Sequence, residues 1–192
     1  LVPQKYKLMF QYKKHSIFLG WEPETQHIKD YARAGTLAVD IGGNMGLWTY
    51  AMVKSNMFKE VLVFEPNSAL TSDLVNAGFD NVKIIHKAVS SVTGSSCLRI
   101  PVHGEMLLDG WASLEANIDV DTDIFEELNV ETIRLDDLAL EDVGFIKIDV
   151  EGHELDLLAG AREFFFVNRP VCIIECREKN KQQVKDYFSG LG

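Results

Sequence analysis

Three short apolar runs, at residues 37–41, 61–64 and 82–85, are separated by stretches patterned as helices. Runs this short, without polar alternation, read as strands buried on both faces. Strands that alternate with helices pair in parallel through right-handed crossovers. The pattern returns later, with strands expected at 145–150 and 171–176 and helices at 154–165 and 178–188. The expected fold is α/β: a doubly wound, mostly parallel Rossmann-like sheet in three αβα layers. Ligands in such sheets sit at the carboxyl ends of the strands, so the loops after those runs are where function is sought.

The remaining elements follow from local signals. Met45 opens a helix over 45–55. Asn67 caps a helix over 68–77, which Gly78 closes. Pro23 opens a helix that runs to residue 34, with Gly35 as its stop. Residues 6–20 mix aromatic and basic side chains and are expected as one or two short strands. The middle is less regular, with strands at 95–101, 111–118 and 130–135 and a short helix at 121–128. The domain reading is an N-terminal extension over 1–35 and a core over 36–192. An irregular, β-rich insertion interrupts that core around 95–135.

Size and charge narrow the function. A chain of 192 residues, 46% hydrophobic, buries enough surface to hold a core without disulfides or structural metal. Its formal net charge of -10 opposes duplex nucleic acid, which needs the opposite field. Lys5, Lys7, Lys13 and Lys14 carry all the charge of residues 5–14, and Arg134 is the only basic residue in 105–142. Both blocks read as solvated faces, with a cation or substrate site as the alternative for the acidic one. Cys97, Cys172 and Cys176 include no C-x-x-C pair, so no zinc site is expected. Cys172 and Cys176 fall on one face of the expected last strand, as reduced thiols suited to the cytoplasm. No membrane-spanning run and no signal-peptide pattern is present. The chain begins at Leu1 and ends soon after a helix, and it is expected to be a trimmed core.

The loop after the first strand reads Asp40-Ile41-Gly42-Gly43-Asn44-Met45-Gly46. Its G-x-N-x-G spacing differs from the G-x-G-x-x-G of dinucleotide binders. Asp40, two residues before the first glycine, repels a pyrophosphate and favours a cationic ligand. S-adenosylmethionine carries a sulfonium and an ammonium. At the second strand end, Glu65 of Phe64-Glu65-Pro66-Asn67 is placed to bind a ribose diol, with a plain surface acid as the alternative. A third string, Ile146-Lys147-Ile148-Asp149-Val150-Glu151-Gly152-His153-Glu154, delivers Asp149 and Glu151 to the same edge. Acids at a helix start account for Glu151 and Glu154 equally well, but less well for Asp149.

Those three strings resemble the FkbM family of methyltransferases. So do Trp111-Ala112-Ser113-Leu114, Thr132-Ile133-Arg134-Leu135-Asp136-Asp137-Leu138 and Leu158-Ala159-Gly160-Ala161. The order and spacing match over residues 21–178. The resemblance implies the class I methyltransferase fold and S-adenosylmethionine-dependent O-methylation of a hydroxyl on a sugar, glycoconjugate or secondary metabolite. Two positions depart from the family pattern. Gly43 stands where alanine is usual, and Trp111 stands in place of a glycine, where its indole is expected to alter the substrate or adenine side of the pocket. The further antiparallel hairpin of a typical class I sheet is expected to be partly missing.

The cofactor-binding candidates are Glu22, Asp40, Gly42, Gly43, Asn44, Gly46, Thr49, Glu65, Pro66, Ala88, Ser113 and Asp149. His86 and Lys87 fall in the loop that the resemblance puts beside the adenine. Asp149, Glu151 and His153 are the catalytic candidates, and Glu175 is a more distant one. Asp149 serves as base or as ligand of the methionine end, and His153 as base or as an exposed helix residue. No metal is assigned, although Asp149, Glu151 and the acidic middle segment offer oxygen ligands for Mg²⁺. Two alternatives stand beside the enzyme: a noncatalytic Rossmann-like binding subunit and an NAD-dependent oxidoreductase. The acceptor and the oligomeric state are left open.

Overall fold

The computed structural model describes residues 3–20, 22–115, 121–122 and 124–191. The chain opens on a 3-10 turn, Gln4–Tyr6, then α1 (Lys7–Tyr12) and a π-type turn, Lys13–Phe18. A second 3-10 turn, Pro23–His27, leads into α2 (Ile28–Tyr31). The first βαβαβ unit is β1 (Thr36–Ile41), α3 (Leu47–Ser55), β2 (Phe58–Phe64), α4 (Ser72–Ala77) and β3 (Val82–Ile85). Next come β4 (Ala88–Val89), β5 (Gly94–His103), β6 (Met106–Leu107) and β7 (Phe125–Ile133). The chain returns through β8 (Val143–Ile148), α5 (Glu154–Ala159), α6 (Arg162–Asn168), β9 (Val171–Ile174) and α7 (Lys181–Ser189).

The central sheet has the order β3-β2-β1-β8-β9, with every pairing parallel. Strand order reverses between β1 and β8, which opens a crevice at their carboxyl ends. Successive side chains of a strand point to opposite faces, and the core divides accordingly. Val39, Ile41, Ile146 and Ile148 pack with Leu157, Leu158, Phe164 and Phe165 from α5 and α6. Ala38, Val61, Val63 and Phe145 pack with Trp48, Ala51 and Met52 of α3 and with Leu8 of α1. The second sheet runs β4-β7-β5-β6, with β5 antiparallel to both β7 and β6. Its small core is Ala88, Leu98, Ile100 and Val130.

Several expected elements change. Residues 6–20 form helical turns rather than strands: Leu8 and Tyr12 share a helix face, and the Tyr12 ring packs against Tyr50 in a tilted pair with centroids 5.0 Å apart. The expected helix over 121–128 gives way to β7. Leu128, Val130 and Thr132 alternate inward while the intervening side chains face water, and pairing with β5 outweighs the helix propensity of Glu126 and Glu127. In the expected strand 111–118, Asp109–Trp111 is a 3-10 turn and Ser113 makes a single bridge to Arg99. Positions 116–118 lie outside the described residues. Asn67 caps only a turn, through Ala69, and α4 starts at Ser72. The helix expected from Met45 starts at Leu47, after Gly46, and the one expected from Pro23 is mostly 3-10 turn. Cys176 lies past the end of β9, so it does not share a strand with Cys172. No described helix is long and apolar enough to cross a membrane.

The expected helix over 154–165 breaks into α5 and α6 at Gly160. Its carbonyl accepts from Asp136 N–H at 3.1 Å, and a Cβ there would lie 2.2 Å from the Ser90 carbonyl oxygen. Gly160 thus lets this bend press on the strand-like segment after β4. Gly160→Ala is expected to cost about 1–3 kcal/mol through overpacking. Urea unfolding checks this, with a lowered midpoint and an unchanged slope as the expected result.

Candidate active site

The loop after β1 is shaped by close backbone approach. Gly42 has φ +76, and a Cβ there would fall 1.8 Å from the Asp149 carbonyl oxygen. Gly42 N–H and Gly43 N–H both donate to the Phe64 carbonyl, at 2.9 and 3.1 Å. At Gly43 a Cβ would lie 2.3 Å from Val63 Cγ1. A methyl at that position is excluded unless Val63 moves, which accounts for glycine where the related pattern has alanine. Gly46, at φ +89, precedes α3 and packs against Leu74.

Glu65 ties the first two loops together. Its Oε2 accepts from Asn44 N–H and its Oε1 from Asn67 N–H, each at 2.8 Å. Asn44 itself sits at φ 47, a left-handed conformation. Burial pushes the Glu65 carboxyl up to about 7, and the two amide donors only partly oppose it. Beneath the loop, Asp40 is fully buried, with Oδ2 accepting from Thr49 Oγ1 at 2.6 Å. Burial raises its carboxyl, while Lys147 and the Thr49 hydroxyl pull the other way.

The turn after β8 has its own frame. Glu154 is buried, accepts Gly152 N–H at 2.8 Å, and receives Asn180 Nδ2 at 2.7 Å. Asn180 Nδ2 also donates to the Gly152 carbonyl, fixing the turn to α7. Glu151 is held at φ 47, and Ser113 Oγ donates to its carbonyl at 2.8 Å. Burial, then the Asp149 charge, push the Glu151 carboxyl up to about 7, against Arg177. A strained carboxylate tuned near neutrality at a cleft is a pattern associated with function.

A cleft opens over these loops at the carboxyl ends of the strands. Its walls include Gly42, Asn44, Glu65, Pro66, Ala88, Ser113, Asp149, Glu151 and His153. Lys87 and Val89 line it too, while the His86 ring turns to the Glu65 carbonyl. Asp40, Gly43, Gly46 and Thr49 lie behind this wall rather than on it. Glu22 is also off the wall, on the Lys147 side, and its neighbour Trp21 is outside the described residues. Trp111 is half exposed and does not line the cleft, whereas Gly110 and Ala112 on either side of it do.

His153 reaches the wall with both ring nitrogens engaged: Nε2 lies 2.9 Å from Ser90 Oγ and Nδ1 2.8 Å from Glu115 Oε1. Glu115, His153 and Asp156 bring potential ligand atoms within 4.8 Å of one another. The present bonds already satisfy that trio, since Ser91 Oγ donates to Asp156. Sequence reasoning passed over Ser90, Glu115 and Asn180, which carry no local signal. It also passed over Lys147, whose signal is a charge set among apolar strand residues.

A parallel central sheet with its cleft at the strand-order reversal is a doubly wound α/β fold, the architecture of class I methyltransferases. A profile of the FkbM methyltransferase domain matches residues 40–191, and the chain belongs to that family. Among solved structures it is similar to the FkbM methyltransferase of Methylobacillus flagellatus KT, with TM-score 0.56 and 18% identity over 88% of this chain. That match covers 44% of the other protein, so this chain spans less than half its length. It is also similar to a precorrin-8w decarboxylase of Methanobacterium thermoautotrophicum, with TM-score 0.51 and 12% identity over 90% of this chain and 72% of that one. At such identities the likeness is one of fold. No curated protein matches the chain.

A carboxyl raised by folding stabilises the protein when protonated. The Glu65 contribution is therefore complete below about 4.5 and is lost as pH rises through about 7. Urea unfolding at pH 5 and pH 8 is expected to show wild type losing more stability over that interval than Glu65→Gln. Equal losses would remove Glu65 as the source.

Proposed function

We propose that the chain is an S-adenosylmethionine-dependent O-methyltransferase acting on a free hydroxyl of a sugar, glycoconjugate or secondary metabolite. The observation that carries this reading is the gathering of carboxylates at three strand ends: Asp40 behind the loop, Glu65 on the wall and Asp149 with Glu151 beside it. The chemistry of this donor set fits a cofactor bearing a sulfonium and an ammonium. So does the buried Asp40 Oδ1, which has no hydrogen-bond partner among the described residues. A pyrophosphate would meet like charge instead.

When bound, S-adenosylmethionine supplies an activated methyl group to an in-line displacement. In this reading Glu65, Asn44 and Pro66 hold the ribose side, and Ala88 and Ser113 line the adenine side. Asp40, Gly42, Gly43, Gly46 and Thr49 shape the loop from behind, and Glu22 and Asp149 face the methionine end. Glu151 accepts the acceptor's hydroxyl proton, with a carboxyl near neutrality suited to that task. His153, bonded on both sides, orients the wall. We take residues 1–35 as a cover and 36–192 as the core, with the insertion around 95–135 forming the acceptor side. A cytoplasmic protein that binds no nucleic acid and spans no membrane suits the charge and the thiols.

Two measurements test the reading. Titration calorimetry is expected to show S-adenosylmethionine binding that weakens in Asp40→Ala and Glu65→Ala; NAD binding in its place would sink the proposal. A screen of sugars and glycoconjugates with labelled methyl donor then identifies the acceptor. With that acceptor, Glu151→Gln is expected to lower turnover about 10²–10⁴-fold while leaving the melting temperature near wild type. Wild-type turnover would dismiss Glu151 as the base.

A further inference from the structure

Lys147 is a buried cation directly beneath the candidate active site. It lies in β8 between Ile146 and Ile148, both fully buried, and its own side chain is 4% exposed. Its ammonium donates to Asp149 Oδ2 at 2.8 Å. In the register of β1 with β8 it is the direct partner of Asp40. The Trp48 ring of α3 lies 5.9 Å from the ammonium.

Carboxylates approach this one cation from four segments. Asp149 comes from the end of β8, Asp40 from β1, Glu22 from the turn before α2, and Glu175 from the end of β9. Glu22 arrives in a left-handed conformation, φ 50, just ahead of Pro23. Two oxygens of the group, Asp40 Oδ1 and Glu22 Oε2, are buried with no hydrogen-bond partner among the described residues. One ammonium against four carboxylates leaves a group that is short of positive charge.

We propose that Lys147 is a positioning residue of the methyl-donor site, holding the Asp40 carboxylate charged and the Asp149 carboxylate aligned so that the site receives a cation. This rests on the reading of the chain as an S-adenosylmethionine-dependent enzyme. Buried carboxylates that lose their counter-ion take up protons instead, and a neutral carboxyl no longer attracts a sulfonium or an ammonium. Burial pulls the Lys147 ammonium down, but Asp149, Asp40 and Glu22 together push it above its ordinary value, so it stays charged at neutral pH.

The test is S-adenosylmethionine binding by calorimetry across pH 5.5–9.5, with thermal melts in parallel. In Lys147→Met, binding at neutral pH falls and recovers at high pH. Its half-effect pH moves up by about one unit or more, a tenfold loss for each unit below the midpoint. Lys147→Arg keeps the wild-type midpoint. A folded Lys147→Met with an unmoved midpoint overturns the proposal, because a merely structural lysine lowers affinity without shifting the profile. Should Lys147→Met fail to melt cooperatively, Glu22→Gln carries the test. One carboxylate fewer around the same ammonium moves the midpoint down, and an unmoved midpoint again overturns the role. Wild-type protein that binds no S-adenosylmethionine at any pH overturns the methyltransferase reading itself, and this proposal with it.

Discussion

The contact between β1 and β8 is the constraint on which the rest depends. These two strands meet where the sheet reverses its order, and their pairing ends with the Asp149 N–H donating to the Ile41 carbonyl at 3.0 Å. One residue further on, Gly42 sits so close to the Asp149 carbonyl that no side chain fits between them. That single approach sets the spacing of the two loops. It also fixes which side chains of the paired strands share a face: Asp40 and Lys147 turn toward α3, while Ile41 and Ile148 turn toward α5. A register slip of one residue would set Asp40 against an isoleucine of β8 and Lys147 against an apolar residue of β1.

Around that contact the site is braced by acids that hold backbone amides of its own loops. Glu65 uses both oxygens to hold two backbone amides from different loops. Glu154 and Asn180 do the same for the turn that carries Glu151. Acids placed this way stiffen loops that are otherwise rich in positive φ. They also concentrate negative charge in a partly dry environment, where charge interactions are strong.

Much of the frame was legible in the sequence. Apolar runs without alternation marked β1, β2, β3, β8 and β9, because a strand covered on both faces leaves little room for polar positions. The glycine spacing and the acids at the strand ends marked where a cleft would open. What was not legible depends on contacts distant in sequence. Glu126 and Glu127 favour a helix by themselves, and only pairing with β5 makes them strand. The break at Gly160 depends on Ser90. The bonds on the two nitrogens of His153 come from residues 63 and 38 positions away. Lys147 was visible as a letter, but the reason for a charge there lies in Asp40, a neighbour across the sheet.

The hydrogen bond from Ser113 Oγ to the Glu151 carbonyl has a consequence for how such a molecule diversifies. One side of the cleft is made by the loops of the parallel sheet, which are locked to one another. The other side comes from the second sheet and joins the Glu151–His153 turn through Ser113, Glu115 and Ser90. Hairpins beyond those three anchors can lengthen, shorten or change their side chains while the anchors stay in register. The fold thus separates a fixed half from an exchangeable half, with the seam running through a serine hydroxyl.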